Sequence, residues 1–389
     1  MFFYQELRQL ASFIKQRAVA LKIRILKRDV YVKMNNPEWP WVFISYIPSV
    51  FYLGKGAQSE RGIKMAYHQN RQEMVRMVPV FSELGYNVYV MDYTSKRNLP
   101  DINVKIIFGL PPAFQRACEK YKTAMRVYYA TGAYYTHQTS MAKRMTDELN
   151  FFFNGHIPYR RMGAPHNSCQ IADRVLMIGS KYTIETYPQE VRYKISLIHQ
   201  STQSTITLTD IQFARENEYV FMASGGNALK GVGLLVKYFS EHTDYTIHII
   251  GPIEYDVMKA IGTSLPPNIM LHGFMNVNDS SFLSILERCN FLIYPSGSEG
   301  GCPGAVLNLM KNGIIPIVSK WAAFDEINEY GYMLDDVSIL AINMAVKWSC
   351  RLKEEEIIMM KKRVKQYTEK TYNLDRFTSE LKSFLMTLN

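Results

Sequence analysis

The stretch FLIYPSGSEGGCPGAVLNLMKNGIIPIVSK, residues 291–320, decides how the chain is read. Phe291-Leu292-Ile293-Tyr294 reads as a buried strand, residues 305–310 as a short helix closed by Gly313, and Ile314 to Val318 as the next strand. Between strand and helix lie four glycines, two prolines and one carboxylate, Glu299. In open α/β sheets ligands bind beyond the carboxyl ends of the strands, which is where this loop falls. Pro303 and Gly304 at the helix start leave backbone N–H groups directed into the loop, and such groups favour an anion. Gly300, Gly301, Pro303, Gly304 and Ala305 therefore predict a phosphate-binding segment, with Glu299 beside it to accept a hydroxyl.

The same alternation extends outward in both directions. Upstream, strands are predicted at Trp41 to Tyr46, Val88 to Met91, Val104 to Phe108, Arg126 to Ala130 and Arg174 to Ile178. Helices are predicted near Asn70 to Leu84, Ala113 to Tyr121, Thr139 to Asn150 and Tyr182 to Tyr187. Residues 200–212, rich in Ser, Thr and Gln, read as a linker. The alternation then restarts with Tyr219 to Met222, a helix over 230–240, strands at Thr246 to Ile250 and Ile269 to His272, and a helix from Asp279 to Cys289. Three helices are expected after Ser338. With 389 residues the chain suits two domains, and the expected class is α/β: two doubly wound parallel-sheet domains facing across a cleft, with a helical C-terminus.

Composition narrows the classes further. Five scattered cysteines without a Cys-x-x-Cys pair argue against a zinc ribbon or a disulfide framework and suit a reducing, cytoplasmic setting. No apolar run approaches the ~20 residues of a spanning helix. The net charge is +10, and seven basic residues fall within residues 1–30, interleaved with apolar ones. That segment predicts either docking on an anionic membrane surface through residues 1–28 or a leader helix packed on its own domain. Nucleic acid is not expected as a partner, since no recognised module accompanies the charge. Neither Asp-x-Asp between apolar runs nor His-Glu-x-x-His is present, so no metal and no cofactor are expected.

A second glycine-rich loop opens the second half: Ser224-Gly225-Gly226-Asn227-Ala228-Leu229-Lys230-Gly231. Bare backbone at Gly225 and Gly226 permits close approach of a ligand, and Lys230 at a helix start would place an ammonium on a phosphate. A tight turn with a solvated lysine is the alternative. Two anion-suited loops at one sheet edge would touch one diphosphate together.

These two loops, with Leu271-His272-Gly273-Phe274 between them, come in the order and spacing of bacterial GT-B glycosyltransferases, and the chain resembles glycosyltransferase family four, especially its polysaccharide-assembly members. The resemblance covers the second half well and the first half more coarsely. It implies an acceptor-side domain over 31–205, a nucleotide-sugar domain over 213–370 and a terminal helix over 371–389 that packs back on the first domain. It implies Lys230 on the diphosphate, Glu299 on the transferred sugar, Phe274 within the donor site, and transfer with retention to a glycan or lipid-linked glycan acceptor. Two positions depart from the pattern: Gly225 replaces an arginine, and the second glutamate is absent, leaving Asn308 as the ribose candidate. In the first half His137 is the expected histidine near the sugar, with His68 second, while His166 and Arg160-Arg161 are candidates for an acidic acceptor. A nucleotide-sugar epimerase of the same fold and a non-catalytic interaction protein are the competing readings.

Overall fold

The computed structural model describes residues 29–52 and 69–388 apart from 204, 206, 215 and 216. The basic segment 1–28, the loop holding Gly54 and Gly56, and His68 lie outside the described residues. The chain forms two compact units. The first comprises Met1–Tyr129, Asn167–Val175 and Leu381–Asn389, and the second Ala130–His166 and Leu176–Glu380.

Thirteen strands are described: β1 (Val30–Lys33), β2 (Trp41–Tyr46), β3 (Asn87–Asp92), β4 (Val104–Gly109), β5 (Met125–Ala130), β6 (Arg174–Ile178), β7 (Ile195–Ile198), β8 (Glu218–Met222), β9 (Thr246–Ile250), β10 (Ile269–Gly273), β11 (Phe291–Tyr294), β12 (Ile315–Ser319) and β13 (Tyr332–Leu334). One sheet runs β1-β3-β2-β4-β5-β6-β7. Its interior strand β2 reads WVFISY, with Val42 through Tyr46 all buried, as a parallel strand covered on both faces must be. It pairs in parallel with β3 and β4, and β1 joins β3 antiparallel at an edge of the sheet. Within the first unit Lys382 Nζ meets Glu83 Oε2 at 2.8 Å, which ties the end of the last helix, Leu374–Met386, to the helix Gln69–Glu83.

The other sheet, β10-β9-β8-β11-β12-β13, is parallel throughout. Its order reverses between β8 and β11, the point at which doubly wound sheets open a crevice for ligands. Phe221 of β8 stacks on Tyr294 of β11 with centroids 5.3 Å apart, fixing where the two following loops begin. Beneath the sheet the helix Val232–Glu241 buries Val232, Leu234, Leu235, Val236 and Phe239. Each such side chain contributes on the order of 1.5–3 kcal/mol on leaving water. Three helices follow β13: Ile339–Ser349, Glu354–Thr371 and Leu374–Met386. Among the described residues no helix is long and apolar enough to cross a membrane.

One core residue carries a pH signature. Lys361 is 2% exposed, and its ammonium donates to the Cys289 carbonyl at 3.2 Å and Asn290 Oδ1 at 3.3 Å. Burial pushes its pKa down to about 8. Between that value and the unfolded value near 10.4 the unfolded chain holds more protons, so stability rises with pH across the window. Lys361→Met is expected to remove a rise of about 2 kcal/mol between pH 8 and 10, read from denaturant midpoints of both proteins. Parallel pH profiles for parent and variant would contradict it.

Candidate functional site

The loops after β8 and β11 lie within the second unit and meet at the switch point. In the first, the chain turns through Gly225 (φ +153°) and Gly226 (φ +75°). The amides of this turn are occupied from within the protein: Gly226 N and Asn227 N donate to Glu254 Oε1 and Oε2 at 2.8 and 3.1 Å. Asn227 Oδ1 in turn accepts from the Glu254 amide at 2.7 Å. The sequence suggested that Lys230 opens the following helix. It sits instead in the turn, where its amide donates to Gly226 O at 3.0 Å, and the helix starts at Val232. The reason is Gly231, held at φ +85° with no room for a side chain, since a Cβ there would lie 2.5 Å from the Pro295 carbonyl oxygen. This contact presses the Lys230 turn onto the β11 loop.

The two residues singled out by type are thereby brought together, with Lys230 Nζ 3.6 Å from Glu299 Oε1. Both side chains are 18% exposed. Glu299 Oε1 also accepts from the Tyr294 hydroxyl at 3.1 Å and Ser296 Oγ at 3.2 Å. Oε2 has no donor among the described residues and remains available to a hydroxyl. Burial, together with the Glu299 charge, pushes the Tyr294 phenol well above its ordinary value, so it stays a donor. Lys230 and Glu299 share a cavity of about 150 Å³ with Gly226, Gly300, Gln138, Arg161 and residues 131–133.

The glycines of the β11 loop have a packing reason as well. A Cβ at Gly300 would come within 3.0 Å of the carbonyl oxygens of Ile178 and Thr131, and one at Gly301 within 3.0 Å of Gly179 Cα. Thr183 Oγ1 donates to the Gly300 carbonyl. The helix Gly304–Met310 starts after Pro303, and no side chain caps its first turn, which holds Ala305.

His137 lies in the first turn of the helix Tyr135–Phe153 and outside the cavity lining. Its Nε2 is 3.1 Å from the Gly297 carbonyl, which only accepts, so Nε2 carries the proton. Its ring packs on Trp321 at 4.2 Å. Burial lowers its pKa, the Gly297 bond raises it, and Lys320 lowers it further, so the net shift favours neutral imidazole. His137 thus holds the β11 loop by its backbone. Asn308 is 5% exposed within its helix, its Nδ2 3.5 Å from Gln203 Oε1 and its Oδ1 without a partner among the described residues. It does not line the cavity, and neither does Phe274, which is 82% exposed after β10. Of the pair considered for an acidic acceptor, Arg160 is committed to Asp256 (Nη1 to Oδ1, 2.9 Å), whereas Arg161 faces the cavity. His166 packs on Tyr135 at 5.7 Å and is kept neutral by burial.

The sequence reading passed over Glu254 and Trp321, and no local motif marks either. It also passed over a buried cluster of Glu218, His248 and Cys289 with ligand atoms within 4.8 Å of one another. Glu218 is already engaged there by His248 Nε2 at 2.6 Å and Arg288 Nε at 2.9 Å. Burial alone would raise the Glu218 pKa, but Arg288 and His248 outweigh it and hold the group ionised. The cluster reads as a satisfied ion pair within the sheet.

No family model matches the sequence, and no curated protein matches it. Solved structures do. The structure of HepE from Anabaena in complex with UDP-glucose aligns over 90% of this chain and 100% of its own, at 10% identity and a TM-score of 0.52. WaaG, a glycosyltransferase involved in lipopolysaccharide biosynthesis, aligns over 88% of this chain and 98% of its own, at 11% identity and a TM-score of 0.50. TarM aligns at 14% identity and a TM-score of 0.47 over 71% of this chain, which spans only 54% of the TarM chain. The fold class is therefore GT-B, with two Rossmann-like parallel-sheet domains and a helical C-terminus.

Proposed function

We propose that the chain transfers a sugar from a nucleotide-diphospho-sugar to a hydroxyl of a glycan or lipid-linked glycan. The observation that carries this reading is the Lys230–Glu299 pair, 3.6 Å apart on the wall of a cavity at the switch point of a parallel sheet. An ammonium there stabilises the diphosphate as negative charge develops on it in the transition state. The carboxylate, with Oε1 anchored by Tyr294 and Ser296, offers Oε2 to the sugar hydroxyls. The likeness in fold to HepE, solved with UDP-glucose, supports the same reading.

Retention of configuration follows from the resemblance in sequence motifs, and metal independence from the missing Asp-x-Asp. An acceptor at an anionic membrane suits the basic segment 1–28, and vesicle binding that survives its deletion would remove that part of the proposal. The donor is tested by thermal stabilisation with UDP-, GDP- and ADP-sugars. A ligand at about 100 times its dissociation constant adds about 2.7 kcal/mol to the folded state. Absence of any shift at millimolar ligand would overturn the reading.

A further inference from the structure

We propose that Arg161 is the second cation of the diphosphate site, its side chain lying against the turn at Gly225 and Gly226. The inference rests on the nucleotide-sugar reading above and adds to it a residue from a distant part of the sequence. A Cβ built at Gly225 would lie 3.5 Å from Arg161 Nη2, and one at Gly226 would lie 3.2 Å from Nε and 3.4 Å from Cγ. The guanidinium thus lies along the turn that carries Lys230, and both side chains line the same cavity.

Its placement is maintained against a backbone cost. Arg161 has φ +58°, a left-handed conformation unusual for a residue with a side chain. The loop is pinned on both sides of it: Gln138 Nε2 donates to the Arg161 carbonyl at 2.7 Å, and Gly163 N donates to Thr139 Oγ1 at 3.1 Å.

The charges around the cavity call for such a group. The Lys230 ammonium is partly neutralised by Glu299, and the amides of Gly226 and Asn227 are taken by Glu254. A diphosphate entering here would meet little net positive charge from these groups alone. Arg160 is paired with Asp256, whereas Arg161 has no carboxylate within ion-pair distance among the described residues. A guanidinium presents a planar fork of donors that fits two phosphate oxygens at once, a geometry that an ammonium lacks.

The test is calorimetric titration of parent, Arg161→Gln, Arg161→Lys and, as a neighbouring control, Arg160→Gln. The ligands are UDP, GDP and ADP and the matching nucleosides. Arg161→Gln is expected to weaken the best-bound nucleoside diphosphate at least tenfold and leave its nucleoside within twofold, since only the diphosphate meets the guanidinium. Arg161→Lys, which keeps the charge and loses the fork, is expected to fall between parent and Arg161→Gln, and Arg160→Gln to stay within twofold of parent. Circular dichroism melts confirm that each variant is folded. Undiminished diphosphate affinity in folded Arg161→Gln would overturn the assignment and leave the nucleotide-sugar reading standing. A parent that binds none of the three diphosphates would overturn both.

Discussion

Lys230→Ala is expected to weaken nucleoside diphosphate binding ten- to a hundredfold while leaving the melting temperature close to that of the parent. The two effects separate because the ammonium has different partners in the two measurements. In the free protein it meets Glu299 at 3.6 Å in a partly exposed pair, and such pairs contribute about 0–1 kcal/mol to folding. Glu299 keeps its hydrogen bonds from Tyr294 and Ser296 when the lysine is gone, so no buried charge is stranded. Against a diphosphate the same ammonium makes a charge-assisted hydrogen bond in a half-enclosed cavity, which contributes about 1.5–3 kcal/mol. Calorimetric titration reads the affinity directly, and equal affinity in variant and parent would remove Lys230 from the site.

Glu299→Gln is expected to cut turnover by a factor on the order of a hundred to a thousand and to change affinity for the bare nucleoside diphosphate by less than about threefold. The amide retains one carbonyl oxygen, which keeps the bonds from Tyr294 and Ser296 at the Oε1 position. At the other position an NH2 donor replaces the oxygen that would accept from the sugar. The loss therefore falls on the sugar moiety, which the bare nucleotide lacks. Initial rates at saturating donor check it, and a variant with parental turnover would end the assignment of Glu299 to the sugar.

Where the sequence was legible, the signal was local. Trp41–Tyr46, Thr246–Ile250 and Phe291–Tyr294 are short apolar runs bounded by turn residues, and each forms a strand with the expected limits. The three terminal helices are equally regular in pattern. β1, β7, β13 and the helix Tyr255–Ile261 are not legible in the sequence, because they are only three to seven residues long, too short for a periodic pattern to show. The helix that begins at Tyr135 rather than Thr139 starts where the Tyr134 amide finds Thr186 Oγ1, a partner distant in sequence.

The site divides in the same way. Lys230 and Glu299 each stand out in a glycine-rich loop after a strand, and the sheet order brings them together. Glu254 is an ordinary glutamate before a short helix, and nothing near it in the chain announces that it holds the amides of Gly226 and Asn227. Arg161 was visible as a cation, but its neighbours in space become known only once the fold places its side chain beside the β8 loop. The glycines at 300 and 301 looked like room for a ligand, and they equally make room for residues 178–179.

The central claim, transfer of a sugar to an acceptor hydroxyl, is tested most directly by product analysis. The chain would be incubated with each nucleotide-sugar that stabilises it, with and without a panel of glycan acceptors, and the products resolved by mass spectrometry and sugar-nucleotide chromatography. The expected result is an acceptor heavier by one sugar residue, an equimolar amount of free nucleoside diphosphate, and an unchanged donor when acceptor is withheld. Conversion of the donor to an isomeric nucleotide-sugar without acceptor would make the chain an epimerase, and donor binding with no product across the whole panel would make it a non-catalytic GT-B protein; either outcome contradicts the claim.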